Sequence, residues 1–336
     1  MTRDTRLDLL KSIAIFGVLL IHICGYNDPI ASANWFGSVF WRTLFAAAVP
    51  LFLMCSGALL NEPSHELPLK KLWFKNILRI LIACFFWAML YKVYNLHLQH
   101  ALRPDTLWQA CKEVLLFQHE FHFYYIQMIL LVYVFLPMSR IFTKHATQKQ
   151  FLYFLAVWFV LGILRPTIAD VWPLPLLGGV ANQWWMNMVY ASIGYGILGY
   201  YLKKYPPKLW AGIVLALFGF LLTFCGTVIE TVHKQMLSER FLDGMTVGVA
   251  CLAAGIFSCC MHVKSAPRPF VYLSKASFCI YLTHMFVIYT LRQWQITVYS
   301  FTSWLSAPTI AFAVLLVTLG IYLILSHIPL LKKWLI

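Results

Sequence analysis

Acidic residues are scarce in this chain. Twelve Asp and Glu stand against 26 Lys and Arg in 336 residues, and the four types together make up only 11%. So little charge cannot clothe a water-facing surface, and with 61% apolar residues and a mean hydropathy of +0.74 the composition excludes a soluble domain. No Walker-type or GxGxxG loop is present and HExxH is missing, which removes ATP-driven transport and zinc proteolysis from consideration. The nine cysteines, Cys259 and Cys260 adjacent among them, have neither disulfide-framework nor metal-ligand spacing and read as thiols inside apolar spans. The polar residues show no internal repeat.

What is present is long apolar runs. A bilayer core of about 30 Å needs about 20 mainly apolar residues per helix. Ten stretches qualify, at 7–26, 40–60, 74–93, 123–140, 151–168, 184–202, 209–229, 244–262, 270–290 and 308–330. They predict a single all-α domain over 1–336, a polytopic membrane bundle of about ten transmembrane helices. The first stretch keeps its polar residues and lacks a small-residue cleavage site, so it reads as a retained span. Lys and Arg gather in alternate loops and at both ends: Arg3, Arg6 and Lys11; Lys70, Lys71 and Lys75; Arg140, Lys144 and Lys149; Lys203, Lys204 and Lys208; Lys264 and Arg268; Lys332 and Lys333. The opposite connections hold scattered cations, Arg292 among them, and most of the acids. By the positive-inside rule both termini are cytoplasmic. The net charge of +14 then reflects topology and attraction to an anionic leaflet, with no nucleic acid required. The longest connections, about 94–122 and 164–183, carry Trp108, Trp172, Pro173 and Pro175, and lead to Trp184 and Trp185; they read as interfacial or re-entrant elements.

Ionisable groups at membrane depth are expensive and mark candidate sites. Lys11 and His22 are eleven residues apart with no charge between them. Eleven helical steps of about 100° bring them to one face, roughly 16 Å apart along the axis. A snorkelling lysine and a packing histidine would give the same pattern. Lys75 and Arg79 share a face at the head of the third span, near which Ser56, Gly57, Arg6 and Asp8 also fall. A positive-inside fringe accounts for Lys70 and Lys71 but not for Arg79, which lies inside the apolar run. Converging cations suit phosphate groups. His22, His122 and His284 reach a similar depth at the other side, His284 closing a stripe with Ser277 and Tyr281, which suggests a shared polar cavity. Three histidines also suit zinc, but no pair has the spacing that pre-forms a metal site. A cationic mouth joined to a histidine cavity fits an acyl coenzyme A donor held from the cytoplasm, with histidine as general base. Tyr281, His284 and His122 are the candidates to stabilise a tetrahedral oxyanion.

At these residues the chain resembles the acyltransferase-3 family of integral-membrane acyltransferases. Lys11 to His22 is similar to the family's Arg or Lys, ten residues, then His. Pro50-Leu-Phe-Leu-Met-Cys-Ser56-Gly57 is similar to Pro-x-Phe-x-x-Ser-Gly with one residue more. Lys75 and Arg79 match a basic pair at the third helix. Phe121-His122-Phe-Tyr-Tyr125 to Pro137 resembles the segment of short members before a helix ending in Pro, and Ser277-Phe-Cys-Ile-Tyr281-Leu-Thr-His284 resembles Ser-x-x-Ile-Tyr-Leu-x-His. The resemblance runs from residue 6 to about 330. It implies O-acylation, most often O-acetylation, of cell-envelope or exported sugars, lipid-linked ones included, by a bacterial plasma-membrane enzyme using acetyl-CoA or another acyl-CoA and no metal. His22 would be the catalytic histidine, while Lys11, Lys75, Arg79 and Ser56 would hold the donor. The Trp-Ser-x-x-x-Glu of longer members has no Glu here, and Glu120 or Asp243 stand nearest to replace it. The alternatives are a transporter or exporter without acyl transfer, which would need paired carboxylates at mid-depth, and a scaffold in which His22 is dispensable.

Overall fold

The computed structural model describes residues 3–24, 28–64, 66–168, 176 and 186–336. Among these the chain is helical throughout, without a strand. In chain order the helices are α1 (Thr5–Ile23), α2 (Ala33–Phe45), α3 (Ala48–Leu60), α4 (Leu69–Leu98), α5 (Pro104–Leu115), α6 (Phe121–His145), α7 (Gln148–Leu164), α8 (Met188–Lys204), α9 (Leu209–Lys234), α10 (Val247–Cys260), α11 (Arg268–Gln293), α12 (Ser303–Ser326) and the short α13 (Pro329–Trp334).

Seven helical stretches among the described residues have the length and hydropathy to cross a membrane: Ala33–Leu60, Leu69–Leu98, Phe121–His145, Leu209–Lys234, Arg240–Cys260, Arg268–Ser300 and Ser303–Ser326. The other three sequence stretches are also mainly helical where described. They fall outside that set for plain reasons. α1 carries Arg6, Asp8 and Lys11 in 19 residues, while α7 and α8 have 17 residues each. Boundaries differ in places. The second stretch starts earlier than expected, at Ala33, and bends where the Ala46 N–H turns back to the Thr43 carbonyl at 3.2 Å, dividing α2 from α3. α6 does not end at Pro137 but continues to His145; the proline removes one N–H from the helical ladder without stopping it. The 94–122 connection contains α5, which buries Ala110 and Val114 and leaves Trp108 exposed, as an element lying along an interface would. Trp172, Pro173, Pro175, Trp184 and Trp185 lie outside the described residues.

α1 is the central helix, packed against α2, α3, α10, α11 and α12. Its Leu7, Leu10, Ile15, Leu19 and Leu20 are fully buried. Lipid tails are as apolar as leucine, so close packing and hydrogen bonds must hold such a helix in place. Polar staples do part of this. Ser12 Oγ donates to the Phe270 carbonyl at 2.7 Å, and Ser274 Oγ donates to Asp8 Oδ1 at 2.7 Å. The Asp8 carboxylate also receives the fork of Arg3 at 2.6 and 2.7 Å. These bonds fix the register of α1 against α11. Small residues do the rest. A Cβ on Gly57 would lie 2.0 Å from the Gly196 carbonyl oxygen, and one on Gly199 would lie 2.1 Å from that of Met54. α3 and α8 therefore meet backbone to backbone.

Candidate active site

A cavity of about 840 Å3 opens among α1, α3, α4, α6, α11 and α13. α1 contributes Lys11 and α3 contributes Ser56, whose neighbour Gly57 lies against α8 and so fixes the rotation of α3. α4 contributes Lys75 from a segment that winds as a π-helix over Leu72–Ile77, a distortion frequent at functional sites, and Arg79 from the α-helical turn that follows. All four residues expected to hold a donor thus line one cavity. Three further cations join them: Lys275 on α11, and Lys332 and Lys333 on α13. Among the described lining residues six are cationic and none is acidic. Arg79 donates to the backbone oxygen of Ile336, and its Nε is buried without a partner.

Tyr125, Ser277 and Tyr281 also line the cavity. Tyr281 lies against the histidines, its ring 5.9 Å from that of His122 and 6.0 Å from that of His284. Its hydroxyl donates to the His122 carbonyl at 2.5 Å. In this structure that proton is engaged by the His122 carbonyl.

His22, His122 and His284 come together from α1, α6 and α11. Ring centroids are 5.2 Å apart for His22 and His284, 5.2 Å for His122 and His284, and 6.3 Å for His22 and His122. His284 Nδ1 donates to the Tyr281 carbonyl at 2.7 Å. This leaves Nε2 of the neutral ring as an acceptor, buried and unpartnered. Both ring nitrogens of His122 are likewise buried without partners. His22 is half-buried, and its carbonyl accepts Arg292 Nη2 at 2.9 Å. No group of three His, Cys, Asp or Glu among the described residues has the geometry of a metal site.

Neither carboxylate proposed to orient a histidine does so by hydrogen bond. Glu120 accepts Asn95 Nδ2 at 2.7 Å and the Tyr289 hydroxyl at 3.0 Å, and Asp243 accepts the Met245 N–H at 2.7 Å. The imidazoles instead face one another. Sequence reasoning also missed Lys275, Lys332 and Lys333 as cavity residues. The signal is there in part, since Lys275 lies two residues before the polar stripe that begins at Ser277, while the terminal lysine pair reads from sequence only as a marker of sidedness.

In comparisons with known proteins, the family model described as an acyltransferase domain matches residues 4–327. No curated protein and no solved structure matches the chain.

Proposed function

We propose, from the premise that the chain belongs to the acyltransferase-3 family and is an acyltransferase of the membrane, that it moves an acyl group, in the first instance acetyl, from acyl-CoA to a hydroxyl of a cell-envelope or exported sugar. The observation that carries this reading is the single cavity with Lys11, Lys75, Arg79 and Ser56 on its walls and the contact of another lining residue, Tyr281, with the histidines. In this reading the ten apolar stretches all cross the bilayer of a bacterial plasma membrane, and both termini and the cationic mouth face the cytoplasm, where acyl-CoA is found. Six cations with no acidic side chain among the lining residues suit a donor bearing several phosphates, and the unpartnered Arg79 Nε suits one of their oxygens. The pantetheine arm lies along the face that Lys11 shares with His22.

His22 takes the proton of the acceptor hydroxyl as its oxygen attacks the thioester carbonyl. A C–O bond forms, the C–S bond breaks, and the proton passes to the departing CoA thiolate. His284, its Nδ1–H tied to Tyr281, offers Nε2 to the N–H of His22, the role a carboxylate has in longer members. The buried N–H of His122 is costly to leave unpaired, and it pairs with the oxyanion that develops in the transition state.

The test is acetyl-CoA binding and slow thiol release by purified protein beside His22→Ala. Wild-type binding with release, and mutant binding without it, is the expected result. Absence of acyl-CoA binding by the wild type would leave the cavity an ordinary cationic fringe and return export or transport to first place.

A further inference from the structure

A second cavity, of about 330 Å3, lies beyond the histidines at the other end of α1. Ile23 and Cys24 line it from the end of α1, Ile288 and Arg292 from α11, and Thr297 and Tyr299 from the turns that follow. α11 relates the two cavities. Ser274, Ser277, Tyr281, His284, Ile288 and Leu291 recur every three or four residues and so share one helix face. The first cavity uses that face as far as Tyr281, the second uses it from Ile288 onward, and His284 stands between. α1 repeats the order with Lys11, then His22, then Ile23 and Cys24. In residue order along both helices the histidine cluster therefore falls between the two cavities.

Direct transfer, as proposed above, needs room for two substrates at once. We infer that the second cavity is the acceptor subsite, and that it takes a saccharide bearing an anionic group, a carboxylate or a phosphate, held by Arg292 with one hydroxyl turned toward the histidines. This rests on the acyl-transfer reading above. Arg292 is the charged residue among those lining this cavity, and of its five N–H donors one is spent on the His22 carbonyl. A planar guanidinium matches carboxylate and phosphate oxygens in pairs. The bond to His22 also ties the anion-holding group to the backbone of the proposed base, so an acceptor seated on Arg292 is positioned relative to His22. At 330 Å3 the chamber is at the small end of ligand pockets, which suits one sugar-sized unit at a time. The transfer is as already written: the acceptor O–H supplies the proton, the new ester C–O bond forms, and CoA leaves as its thiol.

The experiment is equilibrium binding of radiolabelled galacturonate, galactose 6-phosphate and galactose to the full-length protein in detergent micelles, with thiol release from acetyl-CoA followed separately. At least one anionic sugar should bind tenfold or more tighter than galactose, and the tighter of the two identifies the carboxylate or the phosphate as the natural anion. Arg292→Gln should abolish the preference and Arg292→Lys should keep part of it. Equal affinities for all three sugars in the wild type, or a preference that survives Arg292→Gln, would overturn the inference, and the wild-type arm decides it even if the variant does not fold. Thiol release without anion preference counts against the subsite alone. Anion preference without any thiol release counts against acyl transfer and leaves an anion pocket that is no acceptor site.

Discussion

His284 Nδ1 lies 2.7 Å from the carbonyl oxygen of Tyr281, one turn earlier on the same helix. A carbonyl can only accept, so the imidazole proton is on Nδ1 and the lone pair is on Nε2, facing His22 and His122. His284→Asn keeps a donor near that carbonyl and removes the acceptor from the position of Nε2. Turnover should fall by about 10²–10⁴ with acyl-CoA affinity retained, as losses of acid–base partners do. Single-turnover thiol release alongside donor binding separates the two effects.

Arg79 and the lysines should behave differently. Arg79→Ala should raise the KM for acyl-CoA more than it lowers kcat, since phosphate binding is made equally in ground and transition states. Lys332→Ala and Lys333→Ala should move KM in the same direction by smaller factors, because both side chains are exposed and screened by salt. Donor affinity measured from low to high ionic strength should fall in the wild type and fall less steeply in each variant.

Gly57 and Gly196 touch, yet they are not equivalent. A Cβ at Gly57 meets the Gly196 carbonyl at 2.0 Å, whereas one at Gly196 meets nothing closer than 3.7 Å. Gly57→Ala should cost about 1–3 kcal/mol by overpacking against a backbone that cannot yield. It should also rotate Ser56 out of the cavity and weaken donor binding. Gly196→Ala should be nearly neutral in both thermal unfolding and donor titration.

Asp4 caps α1 by accepting the Arg6 N–H at 3.2 Å and pairs with the Arg6 guanidinium at 2.9 Å. Burial works against its charged form, but the Arg6 side chain and the Lys203 ammonium outweigh it and hold the carboxyl below the usual carboxylate range. A lowered pKa in the folded state means stability present above the unfolded value, near 4, and lost as pH falls through the folded one. The melting-temperature difference between wild type and Asp4→Asn should therefore be present at pH 6 and shrink below about pH 4.

Much of this was legible in the sequence because a helix converts spacing into direction. Lys11 and His22, Lys75 and Arg79, and Ser277, Tyr281 and His284 were each set on a face by counting residues, and the cavity or the histidine cluster receives every one of them. Spacing says nothing about which faces meet across the bundle. That is why Lys275, Lys332 and Lys333 entered the cavity unannounced, and why Arg292 passed as one scattered cation. Glu120 and Asp243 are the acids that the sequence places nearest, and neither bonds to a histidine. The approach of the three imidazoles to one another depends on three helices converging, which no single segment records. The bend at Ala46 and the π-helical turn over Leu72–Ile77 depend on packing in the same way.

The six cations around the first cavity come from α1, α4, α11 and α13, so elements from both ends of the chain press like charges toward one another with no acid among the lining residues to balance them. Solvent screens the four exposed lysines, Lys75, Lys275, Lys332 and Lys333, in part, and an anion in the cavity would relieve the rest of the repulsion. A polyanionic guest would then act as mortar, drawing the first and last helices together. At a hundredfold excess over its dissociation constant it would add about 2.7 kcal/mol to the stability of the whole bundle.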